Sequence, residues 1–255
     1  MKYDVFTLFP EILNSFNEYS IIGQGCYKGI ISINPIDIRM YTEDKHKRVD
    51  DYPYGGGHGM VMQVEPIVNA LEATYSSGRM PDRLIYMSAK GRKIDMDYCK
   101  ELSQLDNIAL LCGHYEGIDE RVFANYDFEE VSIGDYILTG GEVPAMVLIE
   151  AVSRLIDGML ANNEAAVEES IYSGLLEPPL YTRPAIFRGD RVPDILLSGN
   201  HAKIEEWRFR KALELTLKLR PDLLKQFLAG NGSLDKRKSK ILEEFATENN
   251  LDIDK

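Results

Sequence analysis

Short apolar runs recur along the chain: Tyr3 to Phe9, Ile30 to Ile38, Leu84 to Ser88, Ile108 to Cys112 and Val131 to Ile133. Each has the length of a single strand. Between them, Glu65 to Tyr75 and Asp95 to Leu105 place their apolar residues at helical spacing. Strand-like and helix-like segments in alternation predict an α/β domain built on a largely parallel sheet. Ligands of such sheets sit beyond the C-terminal ends of the strands. Gly91, Gly113 and Gly134 each follow an apolar run within a few residues. Three glycine loops are therefore expected to converge on one rim.

Further along, Pro144 is predicted to open a helix that runs to about Met159, since proline fits a first helical turn. Ala145, Val147, Leu148, Ala151, Val152, Leu155 and Met159 cover so much of its circumference that it must be buried, in the core or against a partner. Glu142 suits the positive end of its dipole. The segment Ala161 to Glu169 has no periodicity and reads as a linker. A proline-rich stretch follows, with Pro178, Pro179, Pro184 and Pro193. Asn200 then offers an N-cap for a helix through Leu219 that Pro221 ends. Two more helical stretches, Pro221 to Leu228 and Ser233 to Glu248, complete a small all-α C-terminal domain. The expected division is an α/β domain over 1–160, a linker over 161–174 and a helical domain over 175–255.

Composition restricts the function classes. The chain has 255 residues, 44% hydrophobic and 27% charged, which is ordinary for a globular protein. No uncharged apolar run reaches the roughly 18 residues of a membrane helix. Asp4 interrupts any secretory signal at the N-terminus. Cys26, Cys99 and Cys112 are widely spaced and form no Cys-x-x-Cys pair, so a reducing cytoplasm is the expected setting. His46, His58, His114 and His201 lack metal-ligand spacing. The net charge of −12 argues against a nucleic-acid partner until its distribution is considered. From Tyr181 to Lys240 there are 14 Lys and Arg against 7 Asp and Glu, whereas the other 195 residues carry 15 against 34. A basic C-terminal segment is attached to an acidic body, and Arg208 to Lys211 and Lys236 to Lys238 suit phosphate contacts.

Three glycine-rich segments carry the candidate chemistry. They are Asp50-Asp51-Tyr52-Pro53-Tyr54-Gly55-Gly56-Gly57-His58-Gly59, Cys112-Gly113-His114-Tyr115-Glu116-Gly117-Ile118-Asp119-Glu120-Arg121 and Ser132-Ile133-Gly134-Asp135-Tyr136-Ile137-Leu138-Thr139-Gly140-Gly141-Glu142. None contains the Gly-Lys-Ser/Thr of a triphosphate loop, and none completes a Gly-x-Gly-x-x-Gly. None places Lys or Arg among its glycines. A neutral or cationic ligand fits such loops better than a polyanion.

These segments, together with Tyr181-Thr182-Arg183-Pro184 and Leu197-Ser198-Gly199-Asn200-His201, resemble the bacterial tRNA (guanine-N1)-methyltransferases. The likeness runs in the same order from Phe6 to Arg208. It implies S-adenosylmethionine as methyl donor, an α/β domain tied in a deep trefoil knot, an obligate homodimer and a tRNA substrate, with magnesium as a further requirement. The implied target is N1 of the guanosine on the 3′ side of the anticodon. Motif by motif, the likeness assigns to the donor Tyr86 and Ser88, then Gly113, Tyr115 and Glu116. It adds the run Ile133, Gly134, Asp135, Tyr136, Ile137 and Leu138, closed by Gly140, Gly141 and Pro144. For the RNA it implies Asp50, His58, Arg183, Asn200, His201 and Arg208.

The implied catalytic groups are Arg154, Glu116 and Glu169. Arg154 matches an arginine after the knot that braces the purine oxygen. Glu169 stands where the family's pattern has Asp, which keeps the carboxylate but lengthens its reach by one methylene. A carboxylate there would accept the N1 proton. Two alternatives stay open: a knotted methyltransferase acting on another RNA, and a non-catalytic RNA-binding protein.

Overall fold

In the computed structural model of the chain, described over residues 1–160, 174–230 and 234–251, the apolar runs become strands. Strand β1 (Lys2–Thr7) is followed by helices α1 (Pro10–Phe16) and α2 (Ser20–Tyr27) and strand β2 (Ser32–Asp37). A two-residue ribbon, β3 (Asp50–Asp51) and β4 (Val61–Met62), leads into α3 (Val64–Thr74). Then come β5 (Arg83–Lys93), α4 (Met96–Ser103), β6 (Asn107–Cys112), α5 (Arg121–Asn125), β7 (Phe128–Ser132) and α6 (Glu142–Ser153). The five longer strands form one sheet in the order β2-β1-β6-β5-β7, and every pairing is parallel.

The sheet is buried on both faces, as a parallel sheet must be. Alternate residues serve opposite sides. Val5, Ile85, Ile108, Leu110 and Cys112 enter one core with Leu13 of α1, Tyr98 of α4 and Ala145, Leu148 and Val152 of α6. Phe6, Leu84, Ala109 and Leu111 enter the other with Ile67 and Leu71 of α3 and Val122 of α5. The result is a three-layer α/β/α arrangement.

Strand β5 departs from regularity where it matters. Met87 and Arg92 both pair with Val131 of β7, so the residues between them bulge out of the ladder. Gly91 lies in that bulge. A Cβ at Gly91 would sit 2.3 Å from the main chain of Glu130, so this glycine serves strand contact, and the expectation that it joins the ligand loops is corrected.

Helix α6 also differs from its sequence reading. It starts at Glu142, with Pro144 as its third residue, and stops at Ser153. Beyond Ser153 the chain continues in turns, with Leu155 N–H donating to Val152 O, Ile156 N–H to Ser153 O and Met159 N–H to Ile156 O. Gly158 adopts φ +84°. Leu155 and Met159 still pack on the core, so the apolar spacing continued past the helix and concealed its end.

The chain divides into two compact units, 1–163 and 164–255. In the second, helices His201–Leu219, Pro221–Ala229 and Lys236–Asn249 bury Leu213, Leu224, Leu242 and Phe245. The Asn200 side chain caps the first by accepting from Lys203 N–H at 3.2 Å. The unit is not purely helical. Ile186–Phe187 pairs with Asp190–Arg191 across a two-residue turn in which Arg188 (φ +52°) and Gly189 (φ +97°) are both left-handed, the geometry that matches the twist of a tight hairpin. The expected linker, Glu169 included, lies outside the described residues except for Gly174.

Candidate active site

The C-terminal ends of β5, β6 and β7 open onto a cavity of about 330 Å³, within the size range of small-molecule sites. Tyr86 and Ser88 reach it from β5, and Gly113, Tyr115 and Glu116 from the loop after β6. Ile133, Gly134, Tyr136, Ile137 and Leu138 follow β7, and Gly140, Gly141 and Pro144 close the wall where α6 begins. Asp135 is the exception: its carboxylate turns aside to pair with Lys93 and it does not line the cavity.

Main chain forms much of this wall. The Gly141 N–H donates to Gly113 O at 2.9 Å, and His114 and Gly140 form an antiparallel bridge. At Gly141 a Cβ would lie 2.6 Å from the Cα of Cys112, so the two loops meet backbone to backbone. Tyr115 is held at φ +60°, a left-handed conformation that costs a non-glycine residue strain and is concentrated at functional sites. After β7, Ser132 Oγ accepts from Gly134 N–H and donates to Gly134 O, both at 3.1 Å, which shapes the turn.

Behind the wall lies a buried polar cluster that spacing alone did not reveal. Glu142 at the start of α6 accepts from Thr7 Oγ1 at 2.6 Å and meets His114 Nε2 at 2.7 Å. Thr7 is fully buried and Glu142 nearly so. The Cys112 thiol also sits here, its pKa pushed well up by burial and by the Glu142 carboxylate, so it is a neutral packing group. Tyr86 keeps its proton for a related reason: burial, with Glu130 and Glu120 adding to it, raises the phenol pKa.

The first glycine segment adjoins this site through backbone pairing. Glu116 N–H donates to Met60 O at 3.0 Å and Met62 N–H to Gly117 O at 2.9 Å. A Cβ on Gly59 would strike the Glu116 side chain at 2.5 Å. Asp50 belongs to the same ribbon, paired with Met62, and His58 lies on its exposed tip. Neither lines the cavity.

Arg154 lies elsewhere, as the C-cap of α6, at the opposite end of that helix from Pro144. Glu169 falls outside the described residues. Arg183, His201 and Arg208 line a separate cavity in the second unit, with Asn200 occupied as the helix cap. The sequence reading missed Lys90 as a lining residue and set His114, a loop position able to stack on or hydrogen-bond a base, outside the donor's wall. Lys90 qualifies the expectation of a lining free of basic residues, because the β5 bulge delivers a cation from outside the three glycine segments. Among the described residues no group of three His, Cys, Asp or Glu side chains could hold a metal, and no helix is long and apolar enough to cross a membrane.

Comparison with known proteins identifies the family. Residues 1–226 match the family described as tRNA (Guanine-1)-methyltransferase TrmD. The chain is 53% identical over 226 residues to a tRNA (guanine-N(1)-)-methyltransferase of Caldanaerobacter subterraneus, covering 89% of this chain and 92% of that protein. A protein of the same description from Ruminiclostridium cellulolyticum is 50% identical over 226 residues, 89% and 97% of the two chains. One from Clostridium botulinum is 47% identical over 245 residues, 96% and 98%.

Proposed function

The chain belongs to the tRNA (Guanine-1)-methyltransferase TrmD family, and from that premise we propose that it transfers the methyl group of S-adenosylmethionine to N1 of the guanosine on the 3′ side of the anticodon. It is a tRNA (guanine-N1)-methyltransferase; the donor's site, the position of the target and the roles of individual residues are our reading. The observation that carries this reading is the single cavity shared by the loops after β5, β6 and β7, walled by main chain at Gly141.

The residues present fit the donor. It supplies an electrophilic methyl group on a positively charged sulfur. Glu116 at the cavity favours the cationic end of such a molecule. Ile137, Leu138 and Pro144 offer apolar surface to its purine, and the peptide groups of the glycine loops satisfy its polar edges.

Transfer to N1 requires that the guanine lose its N1 proton and be held in line with the methyl group. Glu169 would accept that proton. Arg154 would stabilise the negative charge that develops on the purine oxygen. Magnesium would act through the RNA or transiently at the carboxylates. A guanosine in a single-stranded loop can be turned out of its stack at modest cost.

A homodimer belongs to the same proposal, together with the trefoil knot and a cytoplasmic setting. Pro144 borders the cavity whereas Arg154 lies ten residues further on, about 15 Å along the helix axis at 1.5 Å per residue. An arginine side chain does not span that distance, so the Arg154 of a second copy is the better candidate to meet the substrate. Val143 and Val147, one turn apart on α6, are 51% and 44% exposed. A second copy would cover this apolar patch.

The test is methyl incorporation from labelled donor into tRNAs with and without a guanosine at that position. Arg154→Ala and Glu169→Gln should each lower kcat by about 100-fold or more, the range of a lost acid–base or charge-stabilising group, with donor affinity little changed. Glu169→Asp should retain activity. Equal labelling of both tRNAs, or full turnover in Glu169→Gln, overturns the assignment.

A further inference from the structure

Behind the donor cavity, three side chains from distant parts of the sequence form a hydrogen-bonded cluster that the transfer reaction does not use. Thr7 ends β1, His114 opens the loop after β6 and Glu142 begins α6. Thr7 Oγ1 donates to Glu142 Oε1 at 2.6 Å. His114 Nε2 lies 2.9 Å from Oε1 and 2.7 Å from Oε2. A carboxylate only accepts, so Nε2 carries the proton and donates.

Glu142 is a fixed anchor. Its side chain is 4% exposed, Thr7 holds one of its oxygens, and it stands at the positive end of the α6 dipole. His114 is confined from other sides as well. Phe9 packs on its ring with centroids 5.0 Å apart, and its main chain bridges to Gly140. A Cβ at Gly140 would lie 2.2 Å from His114 Cε1 and 2.7 Å from Glu142 Oε2. The pair fills the space that a side chain at position 140 would need.

What the pair holds in place is the donor loop. Tyr115 and Glu116 follow His114 directly, and both line the cavity. Tyr115 sits at φ +60°, a conformation that persists only where its surroundings over-determine it. On the far side the loop is pinned by Glu116 N–H donating to Met60 O and Met62 N–H to Gly117 O. On the near side the side-chain tie is His114 to Glu142.

We propose that His114 is a positioning residue for donor binding. Clamped by Glu142, it keeps Tyr115 in its left-handed conformation and sets Glu116 against the cationic end of the donor. This rests on the reading of the cavity as the S-adenosylmethionine site. His114 acts through the two residues that follow it, and Glu142 acts through His114.

Donor affinity and stability are measured side by side on the full-length protein, by calorimetric titration with S-adenosylmethionine and by denaturant midpoint. His114→Leu should raise the donor Kd about 10-fold or more, since small misplacements in a site are costly. Its midpoint should also fall, because Glu142 is left buried and short of a donor. His114→Gln, which still donates, should stay near the wild-type Kd. Combining His114→Leu with Glu142→Met removes both polar partners, so the midpoint should recover while Kd stays raised. A merely structural pair would not separate the two readouts. The double variant also carries the test if His114→Leu does not fold. Tyr75→Phe is the control: it removes a buried hydrogen bond to Asp4 away from the cavity lining, so its midpoint should fall with Kd unchanged.

A wild-type Kd in the double variant overturns the proposal. So does a Kd that follows the midpoint across the whole series, which makes the pair structural alone. If His114→Gln raises Kd as far as His114→Leu, the ring itself touches the donor and positioning through Glu142 fails. Wild-type protein that binds no S-adenosylmethionine removes the reading of the cavity, whatever the midpoints show.

Discussion

His114 Nε2 and the Glu142 carboxylate meet at 2.7 Å inside the protein, and through this pair the loop after β6 is fastened to the start of α6. Removing the donor from a buried acceptor leaves that acceptor unsatisfied, at a cost of about 1–3 kcal/mol. His114→Ala should therefore destabilise the fold by about that amount, since Thr7 alone remains to satisfy Glu142. His114→Gln, which can still donate a hydrogen bond, should lose less. Denaturant midpoints of the two variants check this, and equal losses would mean that the pair contributes by packing alone.

Gly141 approaches Cys112 so closely that any side chain displaces one loop. Gly141→Ala should weaken donor binding at least about 10-fold, because a shift of that size disturbs a cavity walled by main chain. Calorimetric titration with S-adenosylmethionine measures this directly. Wild-type affinity in the alanine variant would show that the loops can separate without deforming the site.

Much of this arrangement was legible in the sequence, and the reasons are physical. The strands of a parallel sheet are apolar on both faces, so β1, β2, β5, β6 and β7 announced themselves as apolar runs, and the glycine loops followed their C-terminal ends. Asn200 was readable as a cap because its side chain does the local work of a missing backbone acceptor. The end of α6 was not readable, since Leu155 and Met159 stay in the core after the helix has stopped. The Thr7–Glu142–His114 cluster escaped because its members lie 135 and 28 residues apart in sequence and only the fold brings them together. The hairpin at Arg188-Gly189 was hidden among prolines.

Stability should fall in alkali. Burial raises the pKa of Cys99 from 9.0 to about 11, and Cys112, Tyr3, Tyr75 and Tyr98 are raised as well, with burial the largest cause in each. In the folded state these groups hold their protons, whereas the unfolded chain releases them at lower pH. Their contribution is fully present below the unfolded thiol value and is lost as pH rises through the folded one. Tm should be level around neutrality and decline between pH 9 and pH 11. Thermal melts across that range test the claim, and a Tm unchanged at pH 11 would refute it.

The exposed pair Val143 and Val147 gives the last prediction. On a helix that buries Ala145, Leu148, Ile149 and Val152, two valines facing solvent one turn apart invite a partner. Replacing Val147 with Asp leaves the monomer's core untouched, so the fold should persist with a Tm close to that of the wild type. Association is another matter, because a carboxylate placed at the centre of an apolar contact must be desolvated without a counter-charge. Sedimentation velocity should then show a dimer for the wild type and a monomer for Val147→Asp. If Arg154 serves the site of the partner, the monomeric variant should bind the donor and yet transfer no methyl group. A monomeric Val147→Asp with full turnover would place Arg154 and the donor cavity of one chain in the same active site and end the two-subunit reading.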